Sequence, residues 1–185
     1  MSRDMPVKAL WSLMLAVAMV LGSQAHAALF DAYLEMDGFK ASTVVEGKPG
    51  LKILGSSFNS GAPTGILISG VSGGGGGAGK AQCDSIQIDF DANDFATMLF
   101  LHSMNQKHIT TATVTYYEKK SDTSEKYFTI KLTDVLVSSF AFAHSGDEQP
   151  HSRATLNFTK IQIEQFDHNK PAGQASWDVK ANIKL

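Results

Sequence analysis

Residues 68–82 read ISGVSGGGGGAGKAQ, and two kinds of chemistry fit this stretch by spacing alone. Gly74 to Lys80 follows G-x-x-x-x-G-K, the phosphate-binding loop in which glycine amides wrap phosphates, the lysine reaches them and a following Ser or Thr holds magnesium. Gly70 to Gly74 follows G-x-S-x-G, with Ser72 where a serine hydrolase carries its nucleophile. Neither motif has the context it needs. Ala81 follows Lys80, so the magnesium hydroxyl is missing. The next residues, QCDSIQIDF, alternate like a strand, whereas a phosphate loop must open a helix. Five glycines in a row, Gly73 to Gly77, cannot start the helix that exposes an elbow serine. His144 and Asp147 are triad residue types, but the sequence does not place them beside Ser72, so a serine hydrolase stays a lesser alternative. His102, His108, His144, His151 and His168 are scattered. His144 and His151 bracket Asp147 and Glu148, which could hold a metal, although a solvated turn explains the same residues. The carboxylates show no helical pairing suited to acid–base work. The sequence therefore assigns no catalytic, cofactor-binding or metal-binding residue, and it predicts a protein that is not an enzyme.

The segments around the glycine run alternate with period two, the pattern of half-buried strands. FDAYLEMD puts Phe30, Ala32, Leu34 and Met36 on one face and Asp31, Tyr33, Glu35 and Asp37 on the other. LKILGSSF, from Leu51, predicts a less regular strand. SIQIDFD aligns Ile86, Ile88 and Phe90. HITTATVTYYEKK is rich in Thr, Val and Tyr, which favours a strand. KYFTIKLTDVLVSSFAFAH alternates through Phe128, Ile130 and Leu132 until its parity slips at Asp134 to Val135, which predicts a bulge or bend. RATLNFTKIQIEQF slips again near Thr159 and Lys160. ASWDVKANIKL predicts a closing strand with Ala175, Trp177, Val179, Ala181, Ile183 and Leu185 on one face. One segment has a different period. Phe95, Met98, Leu99 and His102, with Ala96, trace a helical stripe over about Ala92 to Met104, with Asp91 as the N-cap and Asp94 placing a negative charge in the first turn. The expectation is a mainly antiparallel sandwich or barrel with one helix beside it, without internal repeat or interdomain linker.

The ends and the charge bound the setting. Arg3 and Lys8 precede an apolar run from Ala9 to Gly22, and Ala25 and Ala27 give an A-x-A cleavage pattern. This predicts a signal peptide over residues 1–27. The run is shorter than the ~20 apolar residues of a spanning helix, so no stable membrane insertion is expected. The mature chain would be a single domain over 28–185. Losing Arg3 and Lys8 takes the 16 basic residues to 14, and losing Asp4 takes the 18 acidic residues to 17, a net charge of −3. That balance does not attract a nucleic-acid backbone. The single cysteine, Cys83, cannot form an internal disulfide and reads as a small buried hydrophobe, with an intermolecular disulfide as the lesser alternative.

Taken together and in order, DAYLEMDGFKAS, GGGGGAGKAQCDSIQIDFD, FTIKLTDVLVSSFAFAHSGDE, ATLNFTKIQIEQF and WDVKANI resemble the haemolysin-coregulated proteins (Hcp), the inner-tube subunits of type VI secretion systems. The resemblance implies two packed antiparallel β-sheets closing into a barrel with one α-helix beside it. It implies a homohexameric ring, rings stacked head to tail into a tube, a sheath and spike as partners, small secreted effectors carried in the lumen, and no enzymatic activity or cofactor. It also implies that the segment from about Ser60 to Lys80 reaches the next ring, so Ser60, Gly61, Ile66, Leu67, Gly73, Gly74, Gly75, Gly76, Gly77, Gly79 and Lys80 are the candidate stacking residues. Glycines can take unusual φ values on docking, at an entropic cost offset only when the stack forms. Typical tube subunits carry no signal peptide. Residues 1–27 therefore set this chain apart and predict a secreted or periplasmic protein, extracellular if it leaves through a type VI apparatus. The rival reading is an exported β-barrel that binds a small apolar ligand inside. Bulky inward residues such as Phe128, Ile130, Leu156 and Phe158 favour a filled core instead.

Overall fold

The structure is a computed structural model that describes residues 29–39, 47–61, 80–92, 94–120, 123–147 and 149–185. The predicted signal peptide lies outside the described residues, as do Ile66, Leu67, Gly73 to Gly77 and Gly79. The strands are β1 (Phe30–Met36), β2 (Leu51–Ile53), β3 (Gly55–Ser57), β4 (Ser60–Gly61), β5 (Gln82–Cys83), β6 (Ile86–Asp91), β7 (Ile109–Lys119), β8 (Ser124–Ala143), β9 (His151–Asn157), β10 (Lys160–Asp167), β11 (Lys170–Asp178) and β12 (Ile183–Lys184). The helix α1 (Asp94–Asn105) follows β6. One layer runs β12-β11-β10-β8-β7-β1-β2, and a second runs β8-β9-β6-β3, all antiparallel.

The two layers share β8, and this corrects the expected closed barrel. Among the described residues no sheet closes on itself. Continuous stretches of chain instead cross from layer to layer, as at the corners of orthogonally packed sheets. Within β8, Phe128 to Thr133 pairs with β10, and Leu136 onward pairs with β9. The residue at the switch is Asp134, which has a φ of 55°. Ile130 and Leu132 are buried before it, Val135 and Val137 after it, so the parity slip in the sequence is the corner itself. The second predicted slip is a real break: β9 ends at Asn157, and the chain crosses through Phe158 and Thr159 into β10. Thr133 O accepts from both Thr159 N (3.1 Å) and Thr159 Oγ1 (3.2 Å), which binds the two crossings together. The less regular strand predicted from Leu51 is a third crossing, split at Leu54, whose N–H donates to Asp89 O at 2.7 Å.

Between the layers, Leu34, Val114 and Leu132 from the first meet Ile88, Phe90 and Leu156 from the second in one core cluster. Phe128 and Phe158 pack against it, and Ile130 and Leu156 belong to it. Phe95 and Leu99 join it from α1, and Met98, Ala96 and His102 are half-buried, which matches the predicted stripe. The helix starts later than predicted. Asp91 is still in β6, paired with His151, so it is not the N-cap. The far end is closed by Gln106 at a φ of 52°, whose Nε2 donates to Ser103 O at 2.6 Å. The closing strand is also corrected. The chain reverses after Asp178, helped by Asp178 Oδ1 accepting from Ala181 N at 2.7 Å and by Asn182 at a φ of 57°, so Ile183 pairs back onto Asp178.

On β1 the alternation holds, yet Asp31 and Tyr33 are buried on the face opposite Leu34. Tyr33 meets Tyr117 edge-on at 5.9 Å, and Lys48 sits 4.1 Å over the Tyr117 ring. The Asp31 carboxylate lies 3.1 Å from Lys52 Nζ of β2 and 2.7 Å from Lys119 Nζ of β7, tying three strands together. Chain entry into β2 depends on Gly50, at a φ of 95°, where an added Cβ would collide with the Leu34 carbonyl.

Two expectations follow. Burial alone would raise the Asp31 carboxyl, but hydrogen bonds from Lys119 and Lys52 outweigh it and leave the group below its ordinary value. A depressed folded-state pKa stabilises the fold above the unfolded pKa, and this contribution is lost as pH falls through the folded value. Asp31→Asn should lower stability by about 2 kcal/mol at neutral pH, since it leaves two lysines facing a neutral amide. In urea melts at stepped pH, the gap between wild type and variant should shrink below about pH 4. At the corner, Asp134→Gly should change stability little, whereas Asp134→Val should cost about 2 kcal/mol, because a β-branched residue resists positive φ. Equal urea midpoints for the two Asp134 variants would remove the corner's conformational requirement.

Candidate functional site

The glycine-rich segment stands on a neck that the structure describes on both sides. After the Leu54 crossing the chain passes through Phe58 and Asn59 into β4, and it returns through Lys80 and Ala81 into β5. Ser60 pairs with Cys83 and Gly61 with Gln82, and Asp84 N donates to Asn59 O at 2.9 Å. Of the eleven predicted stacking residues, Ser60 and Gly61 form β4 of this neck, and Lys80 stands two residues before β5. The other eight lie outside the described residues. The element after Lys80 is strand β5 and then β6, so no helix N-terminus points back at the Gly74–Lys80 motif. Ser72 also lies outside the described residues, while His144 and Asp147 are exposed in the turn between β8 and β9.

Sequence reasoning missed the groove beside the neck. Phe58, Gly61, Cys83, Ile161, Ile163 and Trp177 surround a largely apolar space of about 350 Å³ between the β4–β5 ribbon and the outer strands of the first layer. The neck is held over the sheet by the Phe58–Phe158 ring contact at 6.2 Å. The signal was present in the alternation of KIQIEQF and ASWDV, but it takes the tertiary crossing at Thr159 to turn those faces toward β5.

Elsewhere the polar chemistry is structural. His108 Nδ1 lies 2.6 Å from Asp134 Oδ1, holding the corner residue. Arg153 bridges β9 to Asp89 of β6 at 2.6 Å and 3.2 Å. Glu125 accepts from Lys120 at 2.6 Å and lies 3.3 Å from His168 Nδ1; the Lys120 hydrogen bond holds its carboxyl below the ordinary value. Among the described residues, no three His, Cys, Asp or Glu side chains cluster as metal ligands. No helix among them is long and apolar enough to cross a membrane.

The Cys83 thiol is pushed up by burial and by the nearby Asp84 charge. A raised pKa means less thiolate, the reactive form. At pH 8, Cys83 should therefore react with a thiol reagent more slowly in the folded protein than in urea, by about tenfold. Equal rates would mean that the neck does not cover it.

No curated protein sequence matches the chain. Among solved structures, Hcp1 from Salmonella typhimurium aligns with a TM-score of 0.65 at 19% identity, over 85% of this chain and 99% of that one. A type six secretion system protein aligns with a TM-score of 0.70 at 19% identity, over 84% and 99%. A type VI secretion system effector from Yersinia pestis aligns with a TM-score of 0.58 at 18% identity, over 80% and 99%. At such identities the likeness is one of fold, and it shows the same layered architecture in chains of nearly the same extent. The sequence profile of the family described as type VI secretion system effector, Hcp, matches residues 33–165, from β1 through the groove-lining strand β10. The chain belongs to the Hcp family of type VI secretion proteins.

Proposed function

We propose that the chain is a structural subunit of a type VI secretion inner tube, built as a homohexameric ring that stacks on further rings. The observation that carries this reading is the family match across residues 33–165, which starts within β1, ends within β10 and leaves only β11 and β12 wholly outside. The isolated subunit supports it physically. In β11, Lys170 to Ala175 are exposed, paired with β10 on one edge and reached by β12 only at the far end. A strand left this open is a liability that a neighbouring copy can cover.

In this reading, residues 28–185 form the ring-building domain, and residues 1–27 are a cleaved leader that gives the protein an envelope or extracellular location. Ser60, Gly61 and Lys80 anchor the stacking loop at the neck. Ile66, Leu67, Gly73 to Gly77 and Gly79 extend it to the next ring. Small secreted effectors in the lumen, and sheath and spike proteins outside it, are the further partners. The protein acts by assembly and not by catalysis. An apolar ligand inside the fold is disfavoured, because Leu34, Ile88, Phe90, Leu132 and Leu156 fill the space between the layers and are fully buried.

The test is one set of masses and one set of images. The intact mass should correspond to a chain starting at Ala28, and native mass spectrometry at micromolar concentration should show six copies. Replacing Gly73 to Gly77 with a short polar linker should leave the melting curve nearly unchanged, since loop entropy varies slowly with length. The same variant should keep single rings in electron micrographs and lose stacked ones. A wild-type protein that stays monomeric overturns the ring. A linker variant that stacks normally overturns the role given to the loop.

A further inference from the structure

Two apolar surfaces lie toward opposite ends of the 20-residue strand β8, and neither is covered by the described residues. The first is raised. On α1, Phe100 meets Phe140 of β8 edge-on at 5.9 Å, and Leu101 and Met104 stand beside Phe100. Phe142, two residues beyond Phe140, presents to the same side of the strand. Met104 is 68% exposed and Phe142 60% exposed. The second surface is concave. Phe30, Tyr116, Tyr127, Phe128 and Gln165 line an aromatic cup of about 500 Å³, with Phe30 and Tyr127 in ring contact at 5.3 Å. Leu29, 70% exposed, directly precedes Phe30 in the chain.

The cup is built by irregularities in the ladder. Tyr116 pairs with Phe128 but Tyr117 pairs with Lys126, so Tyr127 is the extra residue of a bulge and is turned out beside Phe30. A second register shift falls at Gln165, on the other side of the cup. Bulges re-aim side chains, and here they place an aromatic side chain in solvent at a sheet end.

We propose that these two surfaces are the two halves of one head-to-tail contact: the ridge of Phe100, Leu101, Met104 and Phe142 on one copy seats in the aromatic cup of the next. This rests on the ring reading above and names the surfaces that form it. A ring requires a heterologous contact, in which two different patches of the same chain complement each other, and a ridge and a cup at opposite ends of β8 meet that requirement. The area also agrees. Taking about 200 Å² for a large apolar side chain, the exposed parts of Leu29, Phe30 and Tyr127 with those of the ridge residues leave about 750 Å² in solvent. A standard interface buries about 1,200–2,000 Å² in total, somewhat more than half of it apolar.

The experiment uses complementary broken subunits, read by native mass spectrometry and sedimentation at micromolar concentration. Phe142→Asp and Met104→Asp break the ridge; Tyr127→Asp and Phe30→Asp break the cup. All four sites are exposed, so the circular-dichroism melts should match wild type, and if one variant on a patch misfolds the other replaces it. Each variant alone should be monomeric, with assembly weakened at least tenfold. Phe142→Asp mixed with Tyr127→Asp retains one intact ridge and one intact cup, and should give a one-to-one dimer that grows no further. Phe142→Asp mixed with Met104→Asp has no intact ridge and should give none. If folded variants keep the wild-type ring mass, the patches face some other partner and this proposal fails while the ring stands. If the ridge–cup mixture dimerises no more than the ridge–ridge mixture, the head-to-tail pairing fails. A monomeric wild type would remove the ring and this contact together.

Discussion

The shared corner between β8 and the chain from β9 to β10 is the constraint on which the rest depends. A strand that leaves one layer for another abandons buried backbone donors and acceptors unless new partners take them. Here two stretches of chain cross together. Thr133 O receives the N–H and the hydroxyl of Thr159 at the crossing, so hydrogen bonding continues where the ladder changes partners. Asp134 supplies the left-handed turn, and His108 holds its carboxylate from the start of β7. Because one extra residue inverts every later side chain, the same turn that bends β8 also returns Val135 and Val137 to the core.

From that corner the remaining surfaces take their positions. With β8 in both layers, its beginning stands beside β1 and the aromatic cup, and its end runs under α1 and the ridge. The crossing at Thr159 brings β10 and β11 next to the groove that adjoins β4 and β5. The crossing at Leu54 delivers Phe58 to Phe158, which sits in the other crossing. The neck is therefore mounted on two of the three crossings, the most constrained part of the backbone, although it consists of only two short strands.

The sequence made the alternation, the helix stripe and both parity slips legible, since each follows from side-chain period alone. It was less informative wherever the outcome depended on contacts between distant residues. Asp31 and Tyr33 fall on the polar face by parity, but Lys52, Lys119 and Tyr117 arrive from other strands and bury them. The run from Trp177 to Leu185 reads as one strand because its apolar residues keep parity. It reverses because Asp178 caps the turn and Asn182 accepts positive φ. The slip near Thr159 was legible as a change of parity, and only its pairing to Thr133 shows that it is a change of layer. Closure into a barrel was implied by family likeness, while the ladders show two layers joined at corners. At the candidate site, Ser60 and Gly61 were named from the sequence and form the neck, but the apolar groove beside them is lined by Ile161, Ile163 and Trp177, far along the chain, where only tertiary pairing brings them.

The glycine run shows how a motif and its setting can point to different physics. A phosphate site needs amides held at a helix N-terminus, so that their dipoles are aligned before the ligand arrives. Lys80 instead leads into β5, where Gln82 pairs with Gly61 and Cys83 with Ser60. Glycine in such a place contributes freedom of backbone conformation and not a preorganised charge. Closing a loop between two paired strands costs an entropy that grows only slowly with its length. A long glycine-rich insertion is therefore compatible with a rigid two-layer core as long as its two ends are pinned together. The β4–β5 pairing provides that pin.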